Sequence, residues 1–172
     1  MPIEQYLDVG LLLLVSIAAV NDLSTRRIPN RLLLAGLACA FLLRVLSADP
    51  LSSLQAALGG MGVGLAVFLP FYMVRGMAAG DVKMMAVVGA FVGPGDAFDV
   101  AISSWCAGGL MALLLVLLNG RVRQVFDNMK GILCSIWMPG AAVTAPVAQP
   151  SVGSMPYGVA IALGTLAVLV RH

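Results

Sequence analysis

Apolar residues in this chain come in long runs that short polar segments separate. Six runs are found, at about residues 6–20, 31–47, 54–74, 84–92, 98–118 and 155–170. Most of them approach the ~20 apolar residues that an α-helix needs to cross a bilayer. The run at 84–92 is short for a crossing, which predicts a helix that is tilted or shielded within a bundle. The pattern therefore predicts about six transmembrane helices.

The pattern changes after residue 120. Between residues 121 and 138 apolar side chains recur at helical spacing while the charged ones lie largely elsewhere, which predicts an amphipathic helix in the membrane interface. Residues 139–154 contain Pro139, Pro146 and Pro150 with scattered Gly and Ala, which predicts a mobile loop. The predicted fold class is an all-α, polytopic transmembrane bundle that forms one membrane domain over residues 1–172.

Composition agrees with a membrane protein. Hydrophobic residues make up 60% of the 172 residues, charged residues 10%, and the mean hydropathy is +1.00. A soluble domain has about 25% charged residues. The N-terminus lacks the basic segment of a signal peptide, so the first run is expected to be retained as a span. The net charge of +2 gives no reason to expect nucleic acid as a partner. The lipid bilayer is the expected surroundings of the apolar runs.

Basic residues indicate an orientation, because Lys and Arg favour cytoplasmic loops. With the N-terminus outside, the outer face receives only Arg44 and Arg171. The cytoplasmic face then receives Arg26, Arg27, Arg31, Arg75, Lys83, Arg121, Arg123 and Lys130. The opposite orientation reverses that count. The predicted topology leaves three acids on the cytoplasmic side, which are Asp22, Asp81 and Asp127, the last on the polar face of the amphipathic helix.

Apart from these acids, few residues of the chain could act as catalytic groups. The single histidine is His172, and Cys39, Cys106 and Cys134 are far apart without a CxxC pair. A zinc protease needs HExxH, and a serine or cysteine protease needs a histidine base near its nucleophile. We therefore expect no metal and no cofactor, and a carboxylate pair as the remaining catalytic option.

Asp22 and Asp81 allow two interpretations. By position alone the simpler one is favoured: Asp81 is the N-cap of the helix that follows it, and Asp22 is a solvated loop acid near Arg26 and Arg27. The alternative is a catalytic dyad. Two carboxyl groups in close proximity hold one proton between them at moderate pH. The ionised group then takes a proton from water, and the protonated one polarises a scissile carbonyl.

Three segments resemble a known protease family in their sequence and their order. They are Asn21-Asp22 followed after five residues by Ile28-Pro29-Asn30, residues 76–85 (Gly-Met-Ala-Ala-Gly-Asp-Val-Lys-Met-Met), and residues 155–160 (Met-Pro-Tyr-Gly-Val-Ala). Together they resemble the type IV prepilin peptidases, which are GxGD-type aspartyl membrane proteases. Two features depart from the family pattern: the first Gly of GxGD is Ala78, and the cysteine-rich insert of the longer members is absent. The chain is similar to the short form associated with tight-adherence (Flp) pili.

The resemblance implies that Asp22 and Asp81 are the catalytic pair. It also implies cleavage of prepilins at the cytoplasmic face of the bacterial inner membrane, where a short basic leader is removed ahead of an apolar helix. N-methylation, which the long form carries out, is not implied for this chain. Residues expected to bind substrate or shape the site are Gly80, Ala78, Lys83, Asn30, Pro156 and Tyr157. For Asn30 the simpler interpretation is a helix N-cap, and for Lys83 an orientation signal.

Three alternatives stay open at this point. One is a different GxGD protease, such as an archaeal preflagellin-type peptidase. Another is a non-catalytic membrane subunit of a pilus or secretion assembly, whose Gly-rich helices serve packing alone. A transporter or channel is the third, but it would place acids at mid-depth along a pathway.

Overall fold

A computed structural model describes residues 2–74, 76–118 and 156–171. These residues form six α-helices and no strand. The helices are α1 (Pro2–Thr25), α2 (Asn30–Val45), α3 (Pro50–Met73), α4 (Ala79–Val92), α5 (Pro94–Leu118) and α6 (Tyr157–Leu169). The predicted all-α bundle is confirmed. The predicted amphipathic helix at 121–138 and the loop at 139–154 lie outside the described residues.

Three helices are long and apolar enough to cross a membrane. These are α1, α3 and α5, and in the most apolar window of each only 22–28% of the residues are buried inside the protein. The remaining surface of these windows carries large side chains such as Leu13, Ile17 and Leu114, which are exposed on the bundle. An aqueous protein rarely exposes so large an apolar surface, so these faces suit contact with lipid.

Helix α4 is the centre of the bundle. Every residue from Met84 to Phe91 is buried, and α4 contacts α1, α2, α3 and α6. The expectation that this short run is shielded within the bundle is confirmed. Because neighbouring helices surround α4, its 14 residues need not match the thickness of the bilayer to avoid water.

Small residues let α3 approach α4 at backbone distance. A Cβ at Gly60 would overlap the carbonyl oxygen of Gly89, and a Cβ at Gly64 would overlap the backbone of Met85. Gly60 and Gly64 therefore present the groove into which α4 packs, as small residues do where membrane helices meet closely.

The connection from α4 to α5 is a single residue. Gly93 has φ +90°, a left-handed conformation that glycine adopts without steric cost, and Pro94 begins α5 directly. The chain therefore turns at Gly93 alone, and residues 94–96 already belong to α5. Asp96 belongs to the first turn of α5, where the positive end of the helix dipole stabilises a carboxylate.

The chain divides into two compact units. One comprises Met1–Gly108 with Pro156–His172, and the other Gly109–Met155. The residues of the candidate site described below all belong to the first unit. Organisation as one membrane domain stays a prediction.

Candidate active site

Asp22 lies within the last turn of α1 and is buried, with 6% of its surface exposed. Helix α1 continues past the predicted end of the span and stops at Arg26, whose φ of 53° is left-handed. The Arg26 N–H donates a hydrogen bond of 2.9 Å to the Asp22 carbonyl. The interpretation of Asp22 as a solvated loop acid is wrong, because five further helical residues carry the chain beyond the point where the apolar run ends.

Asp81 is the third residue of α4 and is also buried, with 7% exposed. The N-cap of α4 is Ala78, so the interpretation of Asp81 as the N-cap is wrong by three positions. Its carboxylate instead accepts a hydrogen bond from the backbone N–H of Ala78. This is the reach-back bond that an acidic third residue makes in a capping box.

The two carboxyl groups lie close enough to interact electrostatically. The pKa of Asp81 is raised from 3.8 to about 6, first because burial disfavours its charged form and second because the charge of Asp22 repels it. The Ala78 hydrogen bond opposes this rise. Asp81 precedes the apolar part of α4, which begins at Met84, so it lies at the end of the bundle. A carboxyl group with this pKa can hold a proton at moderate pH.

Helix α6 supplies the third side of the site. Its second residue, Gly158, donates its backbone N–H to Oδ2 of Asp22 at 2.7 Å, in a buried position. Tyr157 lies within electrostatic reach of Asp81. Pro156 occupies the N-cap position, so the expected start of the last helix at this motif is confirmed. Helices α1, α4 and α6, which contact one another, therefore meet at the two acids.

Aromatic side chains pack behind Tyr157. Its ring lies 6.1 Å from that of Phe68, edge to face, and Phe68 in turn stacks on Trp105 with the same separation. A Cβ at Gly108 would overlap the Tyr157 ring, so α5 presents a gap into which the ring fits. These contacts fix the ring and, through it, the start of α6.

Lys83 follows Asp81 by two residues and therefore lies on another face of α4. Nζ of Lys83 donates to Oδ1 of Asn30 at 3.3 Å. The N-cap of α2 is Pro29, with Asn30 as the first helical residue, so the interpretation of Asn30 as a cap is wrong. Both residues border an apolar groove of about 330 Å³ between α2, α3 and α4. Lys83 therefore borders this groove, and its predicted role at the acids or toward substrate stays a prediction.

Gly80 and Ala78 lie beside Asp81 without a packing reason to be small. A Cβ at Gly80 would make ordinary contact with Ile28 at 3.7 Å, and its φ is not left-handed. Ala78 is exposed and has an extended backbone, with φ −78° and ψ 149°, that any residue adopts. Alanine in place of the first Gly of GxGD therefore fits this loop without strain.

Gly158 is the site residue that the sequence analysis did not single out. Its role comes from a backbone N–H that meets a side chain 136 positions away, which no local pattern encodes. The one signal in the sequence is a glycine directly after the Pro-Tyr start of an apolar helix. Among the described residues no group of three or more His, Cys, Asp or Glu side chains could hold a metal ion.

Fold and site together define a helical membrane protein with a buried aspartate pair at one end of its bundle. The model of the type IV leader peptidase family matches residues 9–116, which is more than half of the chain and includes both acids. The chain belongs to the type IV leader peptidase family and is therefore a protease of this general kind. A search of curated proteins and a search of solved structures each returned no match.

Proposed function

We propose that this protein is an aspartic endopeptidase that removes the leader peptide of prepilins of the Flp type. Asp22 and Asp81 are its catalytic pair. The observation that carries the proposal is the burial of both carboxyl groups at the meeting point of α1, α4 and α6, with the pKa of Asp81 raised to about 6. Groups with such perturbed values concentrate at catalytic sites.

Two interacting carboxyl groups of this kind share one proton at moderate pH. The ionised group takes a proton from water as the water attacks the scissile carbonyl, and the protonated group donates to the carbonyl oxygen. Burial excludes competing solvent and strengthens both interactions. The chemistry needs neither a metal nor a nucleophilic side chain, in agreement with the residues that this chain offers.

The substrate is proposed to meet the acids at the cytoplasmic membrane boundary. Its apolar helix lies in the bilayer against the bundle, and its basic leader stays at the surface. The apolar groove between α2, α3 and α4, which Asn30 and Lys83 border, offers such a helix a surface on the same helix that carries Asp81. Gly80 and Ala78, whose small size packing does not require, leave the backbone next to Asp81 accessible to an extended peptide. The charge distribution along the chain supports the cytoplasmic face, and the resemblance to prepilin peptidases implies the inner membrane.

The direct test is substitution of each acid. Asp22→Asn and Asp81→Asn are each expected to abolish leader removal, read as a gel shift of a co-expressed prepilin, while the protein still inserts. Asp99→Asn, an exposed acid on α5, is the matched control and should retain full cleavage. Retention of cleavage by either of the first two variants would refute the pair. If both variants still support pilus assembly, the chain is a non-catalytic subunit.

A further inference from the structure

The two acids are held differently, and the difference lies at the start of α6. The first N–H groups of a helix have no partner within the helix, and the Pro156 N-cap makes no side-chain hydrogen bond to them. Asp22, from α1, supplies the missing acceptor through its contact of 2.7 Å with the Gly158 N–H. Asp22 thus caps a helix to which it does not belong.

A backbone N–H can only donate, so Oδ2 of Asp22 must be an unprotonated acceptor in this contact. The positive end of the α6 dipole also favours a negative charge there. Asp81 faces the charge of Asp22 from α4, and Tyr157 lies near Asp81. Asp81 also accepts one backbone N–H, that of Ala78, but burial and the Asp22 charge outweigh it and raise its pKa. Together with the contact of Asp22 with the Gly158 amide, this favours Asp81 as the holder of the single proton of the pair.

We infer that Gly158 is a positioning residue whose amide holds Asp22 as the carboxylate of the pair, so that Asp22 is the general base and Asp81 the general acid. This inference rests on the proposed aspartic mechanism and assigns its two roles. The family match covers residues 9–116 and does not include Gly158.

The assignment gives a balanced reaction. Water attacks the scissile carbonyl carbon, its proton moves to Asp22, and the carbonyl oxygen takes the proton of Asp81, which yields a gem-diol and a deprotonated Asp81. The C–N bond then breaks as the proton on Asp22 moves to the leaving nitrogen and one gem-diol hydroxyl returns its proton to Asp81. The products are a carboxylic acid and an amine, and both aspartates return to their starting states.

Gly158 cannot be replaced without disturbing this contact. A Cβ at residue 158 would lie 2.9 Å from Oδ2 and 3.1 Å from the Cβ of Asp22. The first distance is shorter than Cβ contacts allow and the second is tight, so Asp22 must move away from the amide or α6 must shift. Gly62 on α3 is the matched control, because a Cβ there meets nothing within 4 Å.

The first test is the pH profile of prepilin cleavage by Gly158→Ala and Gly62→Ala. For Gly158→Ala we expect kcat to fall at least tenfold and the acidic limb of the profile to move, since the Gly158 amide no longer holds the carboxyl group of Asp22 in place. Gly62→Ala should match the parent protein in both respects. A lower kcat with an unmoved acidic limb would mean that Gly158 serves packing alone, and an unchanged kcat would also overturn the inference.

The second test does not require Gly158→Ala to fold. In the ¹⁵N-labelled protein in detergent, the Gly158 amide proton should resonate downfield, because it donates to a carboxylate. This shift should be lost in Asp22→Ala and kept in Asp81→Asn. An amide resonance that does not respond to Asp22→Ala would overturn the inference. Loss of activity in Asp22→Asn tests the proposed function separately, so the two proposals can fail independently.

Discussion

At the scale of single residues, the burial of Asp81 should be visible in the stability of the protein. Its pKa of about 6 exceeds the ordinary 3.8, so the folded state binds more protons than the unfolded state between these values. Stability must then fall as the pH rises through this window. The full effect above pH 6 is on the order of 3 kcal/mol, at about 1.4 kcal/mol for each tenfold change.

The Asp81→Asn variant cannot carry this charge. It should therefore be more stable than the parent protein at pH values where Asp81 of the parent is ionised. We expect the melting temperature of the variant in detergent to exceed that of the parent protein at pH 8. The corresponding gain in the free energy of unfolding should be about 2 kcal/mol larger at pH 8 than at pH 4. Asp99→Asn, an exposed acid, should show no such difference between the two pH values. An equal effect of Asp81→Asn at both pH values would mean that folding does not raise the pKa of Asp81.

At the scale of helices, the position of Asp81 depends on the contact of α3 with α4. Gly60 meets the backbone of Gly89, so that α4 lies against α3 along the stretch that follows Asp81. At the far end of α4, Nη2 of Arg44 donates to the Phe91 carbonyl at 2.5 Å, and a cation there offsets the negative end of the helix. Asp81 is therefore held by a helix that is fixed along its length and at its end.

Two glycines on the same helix provide a matched test of this contact. Gly60→Ala is expected to lower stability by about 2 kcal/mol or more, because the added methyl overlaps backbone that cannot rotate away. Gly62→Ala should be neutral or slightly stabilising, since a helical alanine is favoured over glycine by up to about 1 kcal/mol and its site is open. Thermal unfolding in detergent measures both, and equal melting temperatures would contradict the packing described.

Sequence patterns predicted the helices well but not their ends or their mutual contacts. Apolar runs locate spans, yet α1 extends through polar Asn21 and Ser24 because backbone hydrogen bonding continues where hydropathy stops. Asn30 and Asp81 follow the rules for N-caps, but Pro29 and Ala78 hold those positions. The hydrogen bond from Gly158 to Asp22 is a tertiary contact, and a single sequence contains no periodicity that reports it.

At the scale of the whole molecule, charged side chains of the described helices lie near helix ends, while the central stretches of α1, α3 and α4 are apolar. The distribution of Lys and Arg predicts which end faces the cytoplasm. Under that topology the loop after α1 is cytoplasmic and the loop between α2 and α3 faces the periplasm. The candidate site, at the end of α1, then lies on the cytoplasmic side.

Accessibility of two serines tests this topology. Ser24, near the end of α1, and Ser52, in the first turn of α3, both lie near helix ends on the surface of the bundle. In a variant whose native cysteines are replaced by alanine, Ser52→Cys should react with a membrane-impermeant maleimide on cells with a permeabilised outer membrane. Ser24→Cys should react only after the inner membrane is disrupted. The reverse pattern would place the candidate site on the periplasmic side.

The central claim is that Asp22 and Asp81 act as one catalytic unit, and single-turnover cleavage by purified variants tests it most directly. Rates are compared for Asp22→Asn, Asp81→Asn and the double variant, each shown to be folded by its melting temperature. Groups that act as a unit are strongly non-additive, so the double variant should be no slower than the slower single variant. Losses that multiply in the double variant would show that the two aspartates contribute independently, and would contradict a shared catalytic role for the pair.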